Sequence, residues 1–592
     1  MTSMRTKTAT TFTSDEEDAF VVNTGVEDRT RMDVCTPSTS QEELELPGPS
    51  ECKKKRGLRE ILTEKLSSLL DLCQISDRNA TRILIATIEA LGQNPDDYKV
   101  SRSAIQIKRK VLRENFTEKI LGQVNVSEKD AIVVHWDGKL LPGVLKTEMK
   151  ERVAVLISHG DKEQLLGVPI TDSSSGEEQA SAVYECLEEW GVSNSVKAMC
   201  FDTTASNTGR LKGACTILEY LLGKELLYLA CRHHVYEVLL RGVFDEKLGS
   251  TTGPEPDIFK RFQKKWPTLE KYEPGVASID VRKHLPPELV SDITTDFQSK
   301  LLQSQPRDDY KELLQLVLVF LGTLDGKVVG FRSPGPIHHA RWMAKAIYCL
   351  KIYMFRGQFI LSDKDRSGIE AICIFLVRIY CKCWFNAPNA RLAPKQDLEL
   401  LRSLIEYKSI NDEISNKGLT KFLNHLWYLS PELVALAFFD ETLSNEVKSE
   451  MSRKLLAESD DEVENSPRVI NPTFKREKLQ QVLNEGLPGL VTKSTMCFFQ
   501  LFEINIEFLN EDPGMWHNNI NYIKGLKIAK SLKVVNDVAE RGVKLITDFN
   551  TLLTKDEEQK QFLLQVVSKC RKLYPDVTKA TMSRPIDIIS HH

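Results

Sequence analysis

AIVVHWDGKLLPGVLKTEMKERVAVLISHGDKEQLLGVPI, residues 131–170, is the stretch on which the fold turns. Its apolar and β-branched runs at 131–136, 152–158 and 165–170 predict three strands in close succession, hence hairpin connections and an antiparallel start. The first run stops at Asp137, followed by a turn at Gly138. Ser173-Ser174-Ser175 ahead of Glu177 and Glu178 is a helix-start signal, and the amphipathic segment behind it stops at Gly191. Beyond it, 196–201 (VKAMCF) predicts a strand, 207–222 a helix stopped by Gly223, 226–230 a strand and 232–243 a helix. The predicted order is therefore β-β-β-α-β-α-β-α.

Few common domains place three meandering strands before two βα crossovers, and the RNase H-like fold is one that does. In it the first and fourth strands lie side by side in mid-sheet, each placing a carboxylate where the strand leaves the core. Here those carboxylates are Asp137 and Asp202. Beyond Phe244 the apolar spacing is almost wholly helical, through 288–300, 310–321, 344–354, 368–384, 397–407 and 419–429. The expected fold class is thus α/β plus α: an RNase H-like mixed five-stranded sheet with helices, interrupted by a large all-α insertion. The division that follows is 1–56 as a tail, 57–125 as a small helical domain, 126–250 as the first part of the core and 251–515 as the insertion. Residues 516–580, with helices at 520–554 and 557–574, bring the chain back to the core, and 581–592 form a second tail.

A chain of 592 residues can bury a large core, and its formal net charge of -4 excludes a uniformly basic nucleic-acid coat. Its 13 cysteines show no CxxC pairing, and the N-terminal segment has no apolar stretch of signal-peptide kind, which predicts a reducing intracellular compartment. The longest apolar runs, 313–321 and 371–377, are too short to cross a bilayer core of about 30 Å, so no membrane span is expected. Residues 1–50 are rich in Thr, Ser, Asp and Glu and predict a disordered acidic tail. The basic run Lys53, Lys54, Lys55 and Arg56 then reads as a nuclear-import signal, a phosphate contact or a solvated charge run. A helix through 102–113 would carry Arg102, Lys108, Arg109, Lys110 and Arg113 as a basic face, turned to a DNA backbone or to solvent. An acidic stretch at 458–464, followed by Ser466-Pro467, predicts a loop within the insertion.

Asp137 and Asp202 each follow an apolar run, where an unpartnered carboxylate is costly. Singly, Asp137 is the first residue of an Asp-Gly turn and Asp202 a helix cap; together, at two matching strand ends, they suggest an acidic site. Phosphodiester cleavage by the two-metal route needs about three carboxylates around two divalent ions. Oxygen ligands suit Mg²⁺ or Mn²⁺. Cys231 and His234 have the spacing of half a zinc site, but no second pair accompanies them and a structural role is expected; His233 should point to solvent.

From here the chain resembles the hAT family of DDE transposases. CFDTTASN (200–207) is similar to that family's second-aspartate motif, and Cys231-Arg232-His233-His234 to its Cys-x-x-His element. Arg341-Trp342 resembles its Arg-Trp motif inside the insertion, and Ala539-Glu540-Arg541 the small-Glu-Arg core of the helix that delivers the third acid. The sequence departs from the family at Gly138-Lys139 and at Val543-Lys544, and no zinc-finger spacing precedes the core. The resemblance implies Asp137, Asp202 and Glu540 as catalytic metal ligands for Mg²⁺ or Mn²⁺, DNA as partner and the nucleus as location, as a homo-oligomer or alone. It also implies that Arg341 and Trp342 touch DNA, with Trp342 stacking on an extruded base; helical spacing with Ile347 and Leu350 equally suits a core tryptophan. His338-His339 can touch phosphate or remain solvated. Three functions follow: an active transposase, a domesticated transposase-derived scaffold that binds DNA or protein without cutting, and an exonuclease on the same fold.

Overall fold

The computed structural model describes residues 57–124, 131–143, 148–249, 256–303, 305, 307–335, 342–457, 468–550, 553–575 and 582–583. The acidic tail with Lys53, Lys54, Lys55 and Arg56, the segment carrying His338, His339 and Arg341, and the acidic stretch at 458–467 lie outside the described residues.

One open, mixed sheet of six strands organises the middle of the chain. Its strands are β1 (Ile132–Pro142), β2 (Met149–His159), β3 (Lys162–Gly167), β4 (Ile170–Thr171), β5 (Val196–Phe201) and β6 (Leu227–Ala230), in the order β3-β2-β1-β5-β6 with β4 paired to β2. The pairs β1·β2 and β2·β3 are antiparallel, and β1·β5 and β5·β6 are parallel. The expected third strand divides at Gly167–Pro169 into β3 and the two-residue β4, which gives six strands rather than five.

Two expectations are corrected at the first strand and the helix after the fourth. β1 does not end at Asp137: it runs on to Pro142, with Asp137 opposite Ala154 and Gly138 opposite Val153 of β2. The hairpin outlasts the parallel pairing because β5 stops at Phe201 while β2 continues. The helix expected over 207–222 breaks into α5 (Ala205–Thr208) and α6 (Ala214–Leu222), following α4 (Gly176–Glu189). Gly213 sits where any Cβ would run into the Gly209 backbone and lie 2.6 Å from the Asn207 carbonyl oxygen, so the chain is folded back too tightly for one continuous helix.

Three helices precede the sheet: α1 (Glu64–Leu72), α2 (Asp77–Ala90) and α3 (Arg102–Leu121). Leu70, Ala80, Leu84, Ile88 and Ile105 form their own core. The basic face expected on α3 is not presented. Arg109 and Arg113 are buried on Asp71, Arg109 also holds Asp77 at 2.8 Å, Lys108 pairs with Glu60 at 2.7 Å and Lys110 with Asp556 at 3.4 Å. The arginines face inward because Asp71, itself wholly buried, needs charge-assisted partners more than the helix needs a cationic surface.

After α7 (Arg232–Leu248) the described elements are all helical: α8 (Asp257–Lys265), α9 (Ile279–Arg282), α10 (Pro287–Leu301), α11 (Asp308–Leu321), α12 (Trp342–Met354), α13 (Asp363–Phe375) and α14 (Cys381–Asn386). Then come α15 (Ala393–Glu406), α16 (Asp412–Phe422), α17 (Asn445–Ala457), α18 (Leu479–Glu485), α19 (Met496–Leu501), α20 (Ile520–Ser531), α21 (Asp537–Phe549) and α22 (Glu557–Leu573). None of the described helices is long and apolar enough to cross a membrane.

Strand β2 shows how the sheet is covered on both faces, since its side chains alternate with period two. Val153, Val155 and Ile157 share a core with Val183 and Leu187 of α4. Ala154 and Leu156 share another with Val538, Leu545 and Ile546 of α21 and Leu563 and Leu564 of α22. The C-terminal helices therefore return to the sheet. Gly542 makes the contact close: a Cβ there would lie 2.8 Å from Leu156 and 3.0 Å from Ala154.

At the foot of α22, Arg152 of β2 donates to both oxygens of Glu557, at 2.6 and 2.8 Å. Burial pushes this carboxyl up from its ordinary 4.5, but Arg152, followed by Lys560, more than offsets that and holds it at about 2. A depressed carboxyl contributes stability that is present above pH 4.5 and lost as pH falls from 4.5 towards about 2. Glu557→Gln should therefore flatten the acid limb of melting temperature against pH in that window; an unchanged limb would show that the pair does not couple folding to protons.

Candidate active site at the ends of two parallel strands

The parallel register places His135 beside Cys200, the last pair that joins β1 to β5; Asp137 lies two residues further along β1, and Asp202 directly follows β5. Neighbouring strands lie about 4.8 Å apart, and these two positions belong to adjacent strands although 64 residues of sequence intervene from 138 to 201. Two asparagines hold the place together. Asn207, in the small polar segment after Asp202, accepts the Trp136 indole N–H at 3.0 Å and donates to the Asp202 backbone carbonyl at 2.9 Å. Asn536, just before α21, donates to the Trp136 carbonyl at 2.8 Å, and its own N–H donates to the Cys231 sulfur at 3.1 Å.

The long helix expected over 520–554 is broken so that Asn536 can do this. Leu532 leaves α20 in extended backbone, and the Val534 carbonyl accepts the Arg232 N–H at 2.9 Å where β6 passes into α7. The pair Val534-Val535 is β-branched and buried, and both properties favour the extended segment over helix. Restarting at Asp537 as α21, the chain carries Asp537 and Glu540 one turn apart, beside the strand ends.

Three of the acids near the strand ends, Asp202, Asp537 and Glu540, have a basic or polar neighbour. Asp202 lies 3.5 Å from His234. Asp537 lies 3.1 Å from the His233 Nδ1 and accepts the Tyr310 hydroxyl at 3.3 Å. Glu540, mostly buried, accepts from Arg307 at 3.4 Å, and the same guanidinium holds Asp309 and lies over the Tyr310 ring at 5.4 Å. The surface pair expected as the plain alternative, Glu540 with Lys544, does not form: Lys544 turns to Asp548 instead. Arg541 reaches Glu163 of β3 at 2.6 Å. Asp202 and Asp537 both act on the buried Cys200 thiol, which burial first and then these two charges push well above its usual value.

His233 is a correction. It is 1% exposed rather than turned to solvent, stacked on Trp384 at 3.9 Å with its Nε2 on the Trp384 carbonyl. Cys231 and His234 diverge, the thiol towards Asn536 and the imidazole towards Asp202. Burial, then Asp202, pushes the Cys231 thiol well up, away from the thiolate that zinc needs. His135 is buried with its Nε2 at 2.8 Å from Ser158, and burial holds its imidazole down at about 3, so it stays neutral. Trp342 opens α12.

Sequence reasoning missed Asn536, Asp537 and Arg307. Asn536-Asp537 could have been found as a cap signal inside an apparently continuous helix. Arg307 had no local signal, because what singles it out is Glu540, 233 residues away. Among the described residues, no group of three or more His, Cys, Asp or Glu side chains is arranged to hold a metal ion. No protein-family model and no curated protein matches the chain.

Proposed function

We propose that the chain is a hAT-like transposase or a transposase-derived protein, in which an RNase H-like core interrupted by a helical insertion carries a divalent-metal site for cutting or joining DNA strands. The observation that supports it most is the parallel pairing of β1 with β5, which carries Asp137 on one strand and Asp202 just past the end of its neighbour. The donor chemistry of the three side chains, though not their present arrangement, suits a hard cation such as Mg²⁺ or Mn²⁺, since all offer carboxylate oxygens. Asp137, Asp202 and Glu540 would hold it. When bound, such an ion supplies charge stabilisation to the attacking and leaving oxygens of a phosphodiester. The chain's own part is positioning: Asn207 and Asn536 set the strand ends through Trp136, and Arg307 neutralises Glu540 until the acid is used.

A second reading is favoured by the same Arg307–Glu540 pair together with His234 at Asp202. A site whose acids are answered by the protein's own arginine and imidazole suits a domesticated scaffold that keeps the fold and binds DNA or protein without cutting. Metal binding separates the two. Mg²⁺ or Mn²⁺ at millimolar concentration should raise the melting temperature of the wild type, and raise that of Asp202→Asn less, because a ligand that binds only the folded form stabilises it by mass action. Equal shifts in both proteins, or none, would favour the scaffold.

A further inference from the structure

Asp137, Asp202 and Glu540 offer hard oxygens, yet among the described residues no acidic group is gathered in a way that could hold an ion. The surroundings of the third acid give a reason. Glu540, with 11% of its side chain exposed, accepts from Arg307 Nη1 at 3.4 Å. That arginine is itself held from two further sides. Its Nε donates to Asp309 Oδ1 at 3.0 Å and its Nη2 to Asp309 Oδ2, a bidentate grip that leaves Nη1 turned to Glu540. The guanidinium also lies over the Tyr310 ring at 5.4 Å.

The contact is built into the packing of two helices. Arg307 stands at the N-terminal boundary of α11 with Tyr310 one turn inside it, and Asp537 and Glu540 stand one turn apart on α21. Residues three apart share a helix face, so the two helices meet at two matched points. Arg307 answers Glu540, and the Tyr310 hydroxyl donates to Asp537 at 3.3 Å. Behind the first helix lies a solid core, since Tyr310, Leu313, Leu314 and Val317 are all buried. Asp537 is braced in turn by His233 at 3.1 Å, whose ring stacks on Trp384 at 3.9 Å. A guanidinium and a divalent ion on one carboxylate repel each other, so they compete for Glu540. With 39% of its side chain exposed, Arg307 can swing towards water while α11 stays packed.

We propose that Arg307 is an autoinhibitory latch: it serves Glu540 as a built-in cation and withdraws before a divalent ion uses that carboxylate. The latch rests on the metal site proposed above and adds its regulation. The experiment uses the full chain and Mn²⁺ alone, with the free ion followed by its EPR signal, so neither DNA nor turnover enters. R307Q should bind Mn²⁺ at least about fivefold more tightly than wild type, the usual scale of coupling between two ligands. Adding E540Q should abolish that gain, because the carboxylate contested by the two cations is gone. R307S removes the same charge and repeats the comparison if R307Q melts below the assay temperature. Binding by R307Q no tighter than wild type, or a gain that persists in R307Q/E540Q, would overturn the latch. Asp202→Asn, placed in both the wild type and R307Q, separates the two proposals. If it weakens Mn²⁺ binding while R307Q brings no gain, the metal site stands and the latch fails. If the Glu540-dependent gain survives it unchanged, the latch stands and Asp202 leaves the site. Absence of Mn²⁺ binding in every form overturns both.

Discussion

Replacing Asp397 with alanine is expected to destabilise the fold by about 3–5 kcal/mol. Asp397 of α15 is almost wholly buried and receives Arg232 at 2.6 Å, the first residue of α7. The Arg232 guanidinium also donates to Gln396 at 2.9 Å and to the Ala387 carbonyl at 3.2 Å, and lies between the rings of Tyr236 and Tyr428 at 5.5 and 5.4 Å. Burial pushes the Asp397 carboxyl up and Arg232 pulls it back only in part, the signature of a charge kept out of water by a single strong partner. Alanine would strand the guanidinium in the interior, and it is this unpaired charge, more than the lost ion pair, that costs the stability. Arg232 also donates its backbone N–H to Val534, so the loss would loosen the strand ends that hold Asp202. Urea unfolding checks the magnitude. The double variant R232M/D397L should be less destabilised than D397A alone, because it removes both charges. A D397A protein within about 1 kcal/mol of wild type would show that water reaches the pair.

The second large effect concerns Glu540. If the chain cuts DNA, Glu540→Gln should lower divalent-dependent strand cleavage by more than about 100-fold, since loss even of groups that merely orient a metal's ligands costs 10–100-fold. Glutamine keeps the shape and can still accept from Arg307, so melting in the absence of metal should move little. Nicking of a supercoiled plasmid in Mn²⁺ is the readout. Unchanged cleavage by the variant would assign the third acid elsewhere, and Asp537, one turn earlier and held by His233 and Tyr310, is the next residue to substitute.

How far the site could be read from the chain depends on the distance over which each feature is decided. The strands at 131–136, 152–158, 196–201 and 226–230 and the helices around 177–190 and 557–574 were legible because each is a local apolar pattern with its own start or stop signal, such as Ser175 or Gly223. That β1 and β5, the strands that lead to Asp137 and Asp202, pair side by side and in parallel followed from the strand order alone. Tertiary structure decided what answers those acids. Whether β1 stops at Asp137 depends on β2 continuing beside it, whether 520–554 is one helix depends on Arg232 claiming the Val534 carbonyl, and whether Arg109 faces DNA or Asp71 depends on which carboxylate is buried. In the first case pairing with a neighbouring strand decides, and in the other two a single buried polar group, which must find a partner, does.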